Sequence, residues 1–352
     1  MELLGRLEDH ARAQLPEAIY DYFAGGAGDE RTVAENADAW QRLWLRPRQL
    51  AGVAEADTNV ELLGRRLSTP VILAPVAAQR LLHPDGELAA ARAAIGAGTG
   101  FVLSTRATAD LAEVADAAGE GHGLWFQLYF EHDRERVASV LRRAREHGYE
   151  QIVLTADVPV AGRRERELRH GEIPLPPGVS MATHLGTPAD AAAKPETGGW
   201  AAPRWEDVSW VAETSGLPVI VKGIVTAEDA RQALARGASA IVVSNHGGRQ
   251  LDGGVPTAVA LREVAAAVAG AVPVLVDGGI RSGADIVRAL ACGADAVLIG
   301  RPYLWGLACG GEAGVREVLD ALTADLARTL ALVGAPDCAG VSEAHVRPRA
   351  WD

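Results

Sequence analysis

Apolar residues along this chain fall into short continuous runs rather than into long alternating or heptad patterns. Four of them are Val71–Ala74, Phe101–Ser104, Leu124–Leu128 and Gln151–Thr155. Four more follow: Pro218-Val219-Ile220-Val221-Lys222-Gly223, Ile241-Val242-Val243-Ser244, Pro273-Val274-Leu275-Val276-Asp277-Gly278 and Val297-Leu298-Ile299-Gly300. A strand covered on one face alternates apolar with polar, whereas a strand apolar at successive positions needs cover on both faces. That pattern predicts a parallel sheet packed between layers of helix. Helix-period segments such as Glu87–Ala97 and Arg134–Glu146 lie between the runs.

Two of the strand–helix units are near copies. Pro218–Gly223 is echoed by Pro273–Gly278, and each is followed by a helix with the same punctuation. Thr226 with Asp229, and Ser282 with Asp285, have capping-box spacing with Asp in place of the usual Glu. Gly237 and Gly293 stand where helices stop. Eight such units predict an α/β protein of the (β/α)8 barrel type, with an open doubly wound sheet as the alternative. The whole chain, 1–352, reads as one domain. Within it, residues 1–69 read as a helical N-terminal extension. Residues 171–203, rich in Pro, Gly, Ala and Thr without periodicity, read as a long excursion after the fourth strand, either a lid or a surface insertion.

Composition narrows the function. A hydrophobic content of 48% supplies a large core, and a net charge of −12 argues against nucleic acid or an anionic membrane as partner. No apolar run approaches the ~20 residues that span a bilayer. The N-terminus carries no apolar leader, and Cys292, Cys309 and Cys338 have neither metal-ligand spacing nor a paired framework. These features predict a soluble cytoplasmic protein without a bound metal.

In such barrels ligands bind where strands end. Pro75, Val76 and Ala77 follow the first strand with small side chains that let a flat ring approach. Ser104 ends the second strand, Gln127 and Tyr129 the third, and Thr155 and Asp157 the fourth. Lys222 ends the fifth, Ser244 and His246 the sixth, Asp277 and Gly279 the seventh, Gly300 and Arg301 the eighth. The richest segment is Ser244-Asn-His-Gly-Gly-Arg-Gln-Leu-Asp252. His246 offers a base near neutral pH, and Arg249, three positions on, offers a two-pronged grip on a carboxylate. That combination suits removal of a proton from a bound organic acid.

The segment closely resembles the active-site signature of the FMN-dependent 2-hydroxy-acid oxidases and dehydrogenases, the glycolate oxidase family. Further segments resemble that family in the same order: Tyr20-Asp21-Tyr22, Arg46-Pro47-Arg48, His83-Pro84, Phe126-Gln127-Leu128-Tyr129, Gly162-Arg163-Arg164, Val221-Lys222-Gly223, Asp277-Gly278-Gly279 and Gly300-Arg301-Pro302. The resemblance implies FMN as cofactor. Arg281, Gly300 and Arg301 would hold its phosphate, Asp277 its ribityl hydroxyls, and Ser104, Gln127 and Thr155 its pyrimidine edge. Lys222 would sit where negative charge appears on reduction; a plain ion pair with Asp277 is the alternative. Pro75–Ala77, Ser244 and Gly279 complete the cofactor set. No GxGxxG element follows a strand, which disfavours a nicotinamide.

For the substrate, the resemblance implies a 2-hydroxy acid clamped by Arg249 and Arg164, with Tyr20 and Tyr129 donating. His246 would act as base, and Asp157 would stabilise the resulting imidazolium. Arg164 is preferred to its neighbour Arg163, and Tyr20 has the alternative of a core tyrosine. Two residues depart from the glycolate-oxidising pattern. Ala161 replaces a leucine and enlarges the cavity toward aryl or longer substrates. Arg106 replaces an aromatic roof and either meets a polar substrate tail or bends into solvent. Expected partners are the 2-hydroxy acid, O2 or another acceptor such as a quinone, and further copies of the chain in a tetramer. An FMN-barrel isomerase and a catalytically silent flavin-binding barrel are the other readings.

Overall fold

Eight of the apolar runs pair edge to edge and close on themselves. A computed structural model describes residues 2–181 and 201–349. The N-terminal segment forms helices α1 (Glu2–Gln14), α2 (Glu17–Ala24) and α3 (Arg31–Gln41) and three short strands, β1 (Leu43–Leu45), β2 (Val60–Leu62) and β3 (Arg65–Leu67). The barrel strands follow as β4 (Val71–Leu73), β5 (Phe101–Ser104), β6 (Leu124–Leu128), β7 (Gln151–Thr155), β8 (Val219–Ile224), β9 (Ala240–Val243), β10 (Val274–Val276) and β11 (Ala296–Ile299). All are parallel to their neighbours, and β11 pairs back onto β4, so the sheet is a closed (β/α)8 barrel. Among the described residues no helix is long and apolar enough to cross a membrane.

Alternation along each strand divides the core into two. Ile72, Val102, Trp125, Val153, Ile220, Val242, Leu275 and Leu298 point inward and fill the barrel. Their neighbours, among them Leu73, Leu103, Phe126, Leu154, Val221, Val243, Val276 and Ile299, meet the surrounding helices. Both faces are dry, so the strands are apolar until their last residues, except for the buried Gln151 at the start of β7.

The extension is not purely helical, and here the expectation needs correction. Strands β2 and β3 form an antiparallel hairpin whose Leu62 and Leu67 join the interior cluster. Strand β1 pairs with β12 (Val346–Pro348), tying the start of the chain to its end. Three-residue strands are too short to give a readable period. Most of the expected excursion at 171–203 lies outside the described residues; before it stands the one-turn helix α4 (Glu165–Leu168). The capping prediction holds by half. Thr226 Oγ1 and Ser282 Oγ accept from the Asp229 and Asp285 N–H groups at 3.2 and 3.1 Å. Asp285 is turned elsewhere, accepting from Gln41, Arg288 and the Arg281 N–H.

Candidate active site

Strand ends on one side of the barrel open into a cavity of about 410 Å³. Pro75, Val76, Ala77, Ser104, Tyr129 and Thr155 line it from β4 to β7. Lys222, His246, Asp277, Gly279, Gly300 and Arg301 line it from β8 to β11. Loop residues Arg106, Ala161, Arg164, Arg249 and Arg281 complete the wall. Three predicted residues stand behind it. Gln127 is buried, accepting from Ser104 Oγ and the Thr105 N–H and donating to Thr155 Oγ1 at 2.9 Å. Ser244 accepts from Lys222 Nζ at 2.7 Å and donates to Asp277 at 2.9 Å. Asp157 supports His246.

Tyr20 is a correction. Its ring stacks on Trp305 and its hydroxyl donates to Glu8 at 3.3 Å, so it packs among α1, α2 and the C-terminal helix Arg301–Val333. The wall tyrosine is Tyr22. Residues two apart on a helix differ by about 200° in direction, so both could not face the cavity. The register of one Tyr-Asp-Tyr element was readable; which tyrosine faced inward was not.

His246 sits at φ +59° with Gly247 after it, a conformation that costs a non-glycine residue strain. Helix α3 holds the turn in place: the side-chain amides of Asn36 and Asn245 exchange two hydrogen bonds of 2.8 Å each, and Asn245 Oδ1 also accepts from the Gly248 N–H. Neither Asn36 nor Asn245 was singled out from sequence. The imidazole Nδ1 lies 3.0 Å from Asp157 Oδ1 and Nε2 lies 3.2 Å from the Tyr129 hydroxyl. Asp157 reaches this position because β8 bulges at Gly223. A Cβ there would come within 2.7 Å of the Asp157 Cβ, and Gly223 has φ +108°.

Electrostatics give each group a definite state. Burial lowers the His246 pKa, outweighing the pull of Asp157, so the imidazole is neutral at neutral pH. Burial would raise Asp157, but His246 and Lys222 overcome it and keep the carboxylate ionised. A neutral imidazole beside an ionised carboxylate donates from Nδ1 and leaves the Nε2 lone pair toward Tyr129. Burial opposes the charge on Lys222, yet Asp277 (3.2 Å) and Asp157 raise its pKa, so it is an ammonium. The ion pair offered as its alternative exists, and Lys222 lines the cavity as well.

Two partly buried guanidiniums stand beside the ends of β10 and β11. Arg301 donates to the carbonyls of Phe23, Ala24, Gly25 and Gly247. Arg281 donates to Ile280 O. Among the described residues neither pairs with a carboxylate. Burial, together with Arg249 and Arg281, pulls Arg301 down to about 9. Nearby, Asp277 Oδ1 is buried without a hydrogen-bond partner. A phosphate would satisfy the cations and a hydroxyl would satisfy the aspartate. This donor set fits a ribityl phosphate, hence FMN.

Comparison with known proteins agrees with that fit. A profile of the FMN-dependent dehydrogenase family matches residues 11–348. The chain belongs to this family. It is 46% identical over 339 residues to an L-lactate oxidase of Nostoc sp., covering 93% of each chain. It is 45% identical to a 4-hydroxymandelate oxidase of Amycolatopsis orientalis, covering 94% of each. A crystal structure of mandelate oxidase superposes with a TM-score of 0.90 at 44% identity, over 98% of this chain and 97% of that one. As a member of the FMN-dependent dehydrogenase family the chain is an oxidoreductase with FMN as its cofactor.

Arg163 and Arg164 both border the cavity but differ in exposure. The Arg163 side chain is exposed and paired with Glu165. Arg164 turns inward, its Nε donating to Arg249 O at 3.3 Å. Arg249 lies under the Tyr22 ring, 5.5 Å from its centroid, and donates to Tyr22 O and Gly25 O. Glu167 also lines the wall; its place beside these arginines had no signal in the sequence beyond its spacing on a short helix.

Proposed function

We propose that this protein oxidises the (S)-form of a 2-hydroxy acid with a bulky, aryl side chain to the 2-oxo acid, with dioxygen as electron acceptor. One observation carries the reading: a neutral histidine keyed by an ionised aspartate shares a cavity with two inward arginines and with strand ends suited to FMN. Arg164 and Arg249 take the substrate carboxylate, with Tyr22 beside them in the role first given to Tyr20. Tyr129 holds the 2-hydroxyl. His246 takes a proton at Nε2, and Asp157 stabilises the imidazolium that results. Bound FMN would supply the two-electron acceptor, with dioxygen as the final oxidant and hydrogen peroxide as its product. Lys222 keeps a fixed positive charge at the cofactor.

The side-chain preference rests on Ala161, a small residue in the cavity wall, and on relatives named for 4-hydroxymandelate and mandelate. Arg106 follows β5, which lies opposite β9 in the barrel order, so it is suited to a polar group at the far end of the substrate. Exposed Val160, Leu251 and Val259 offer apolar surface for a homo-oligomer.

Oxygen uptake with (S)-mandelate and with glycolate tests the reading, with peroxide and the 2-oxo acid measured alongside. Mandelate should give the higher kcat/KM, and Ala161→Leu should lower it about tenfold by crowding the ring. Oxygen uptake with neither acid would refute the activity, and a preference for glycolate would refute the pocket argument.

A further inference from the structure

Glu167, on α4, places a carboxylate inside the cavity that the proposed function assigns to an anionic substrate. Its Oε2 accepts from Arg164 Nη1 at 3.2 Å and lies 3.9 Å from Arg249 Nη2. One carboxylate oxygen therefore stands between the two guanidiniums that the substrate needs. Arg249 has few other ways to meet an anion. Its Nη1 is committed to the carbonyls of Tyr22 and Gly25, each at 2.8 Å, which leaves the Nη2 edge. Burial and the nearby Arg164 lower its pKa to about 10, and Glu167 counters them. Two cations held this close need an anion, and Glu167 is the carboxylate that the wall places beside them.

A substrate carboxylate needs the same edges. We propose that Glu167 is an internal place-holder: it occupies the Arg164–Arg249 pair when no acid is bound and competes with both substrate and product for it. This inference rests on the proposed function. Its consequence is a site that keeps its arginines ordered between turnovers yet binds carboxylates less tightly than two free arginines would. Weaker binding applies to the 2-oxo acid as well, so product leaves faster. The rival account is that Glu167 only orients Arg164. The two differ in sign, because losing a competitor strengthens anion binding and losing a positioning partner weakens it.

Glu167→Gln removes the charge and keeps the shape, on a side chain that is partly exposed and outside the packed core. The FMN-loaded wild type and variant would be titrated with phenylglyoxylate, and separately with the uncharged amide of mandelate, following the flavin absorbance. The variant should bind phenylglyoxylate about three- to tenfold more tightly, the range expected for one partly solvated charge pair. That advantage should shrink as salt is added, and amide binding should not change. In turnover, KM for mandelate should fall while kcat stays level or drops. Unchanged or weaker phenylglyoxylate binding would overturn the proposal, as would equal tightening of the amide. A wild type that binds no phenylglyoxylate at all would bring down the reading of the site, and this inference with it.

Discussion

The cavity has two cationic sides that treat their charges differently. Beside β10 and β11, the partly buried Arg281 and Arg301 donate to backbone carbonyls, and among the described residues neither pairs with a carboxylate. Beside β7 and β9, Arg164 and Arg249 share Glu167. The first side is left short of an anion, which suits a phosphate that arrives once and stays. The second carries its own anion, which suits a carboxylate that must come and go at every turnover. The barrel frame is the same under both sides; what differs is whether the loop brings an acid with its arginines.

The largest effect expected at the exchangeable side is on chemistry. His246→Ala should lower the rate of flavin reduction by about 10²- to 10⁴-fold, the usual contribution of a positioned base, while FMN remains bound. Wild-type kcat/KM should carry an acid limb from the same residue. Its pKa is depressed in the fold, so the active neutral form persists below the ordinary imidazole range, and activity is lost as pH falls through the lowered value. A limb above that range would contradict the burial argument.

Next come the two sides themselves, probed separately. Arg281→Leu should weaken FMN about 10- to 100-fold, as expected for loss of a charged hydrogen bond, with little change in KM once FMN is saturating. Arg249→Lys should raise KM for the acid by about tenfold and leave FMN affinity alone, because an ammonium cannot reproduce the bidentate grip. FMN release and steady-state kinetics on both variants check this. If either variant disturbed both quantities equally, the division of labour would fail.

How much was readable from the sequence follows from where information is concentrated. Barrel strands announce themselves because both their faces are dry, and the site was visible because, Gln151 at the start of β7 apart, polar residues appear on those strands only towards their C-terminal ends. The His246–Arg249 segment carried its chemistry in a few adjacent residues. What escaped depended on relations between distant segments. Tyr20 and Tyr22 are equivalent as letters and opposite as directions on α2. Asn36 fixes the His246 turn across more than two hundred positions of chain. The hydrogen bonds by which Gln127 links Ser104 to Thr155 run between three separate strands and have no local signature. The hairpin Val60–Leu67 was hidden by the brevity of its strands, although Leu62 and Leu67 are part of the barrel interior.

The central claim is that a 2-hydroxy acid gives up two electrons at the His246 side of this cavity. Mixing the FMN-loaded protein with (S)-mandelate in the absence of oxygen measures that step alone. The account predicts bleaching of the flavin absorbance in a single turnover, yielding one phenylglyoxylate per flavin, with (R)-mandelate inert. Flavin that stays oxidised with (S)-mandelate, lactate and glycolate alike would contradict it.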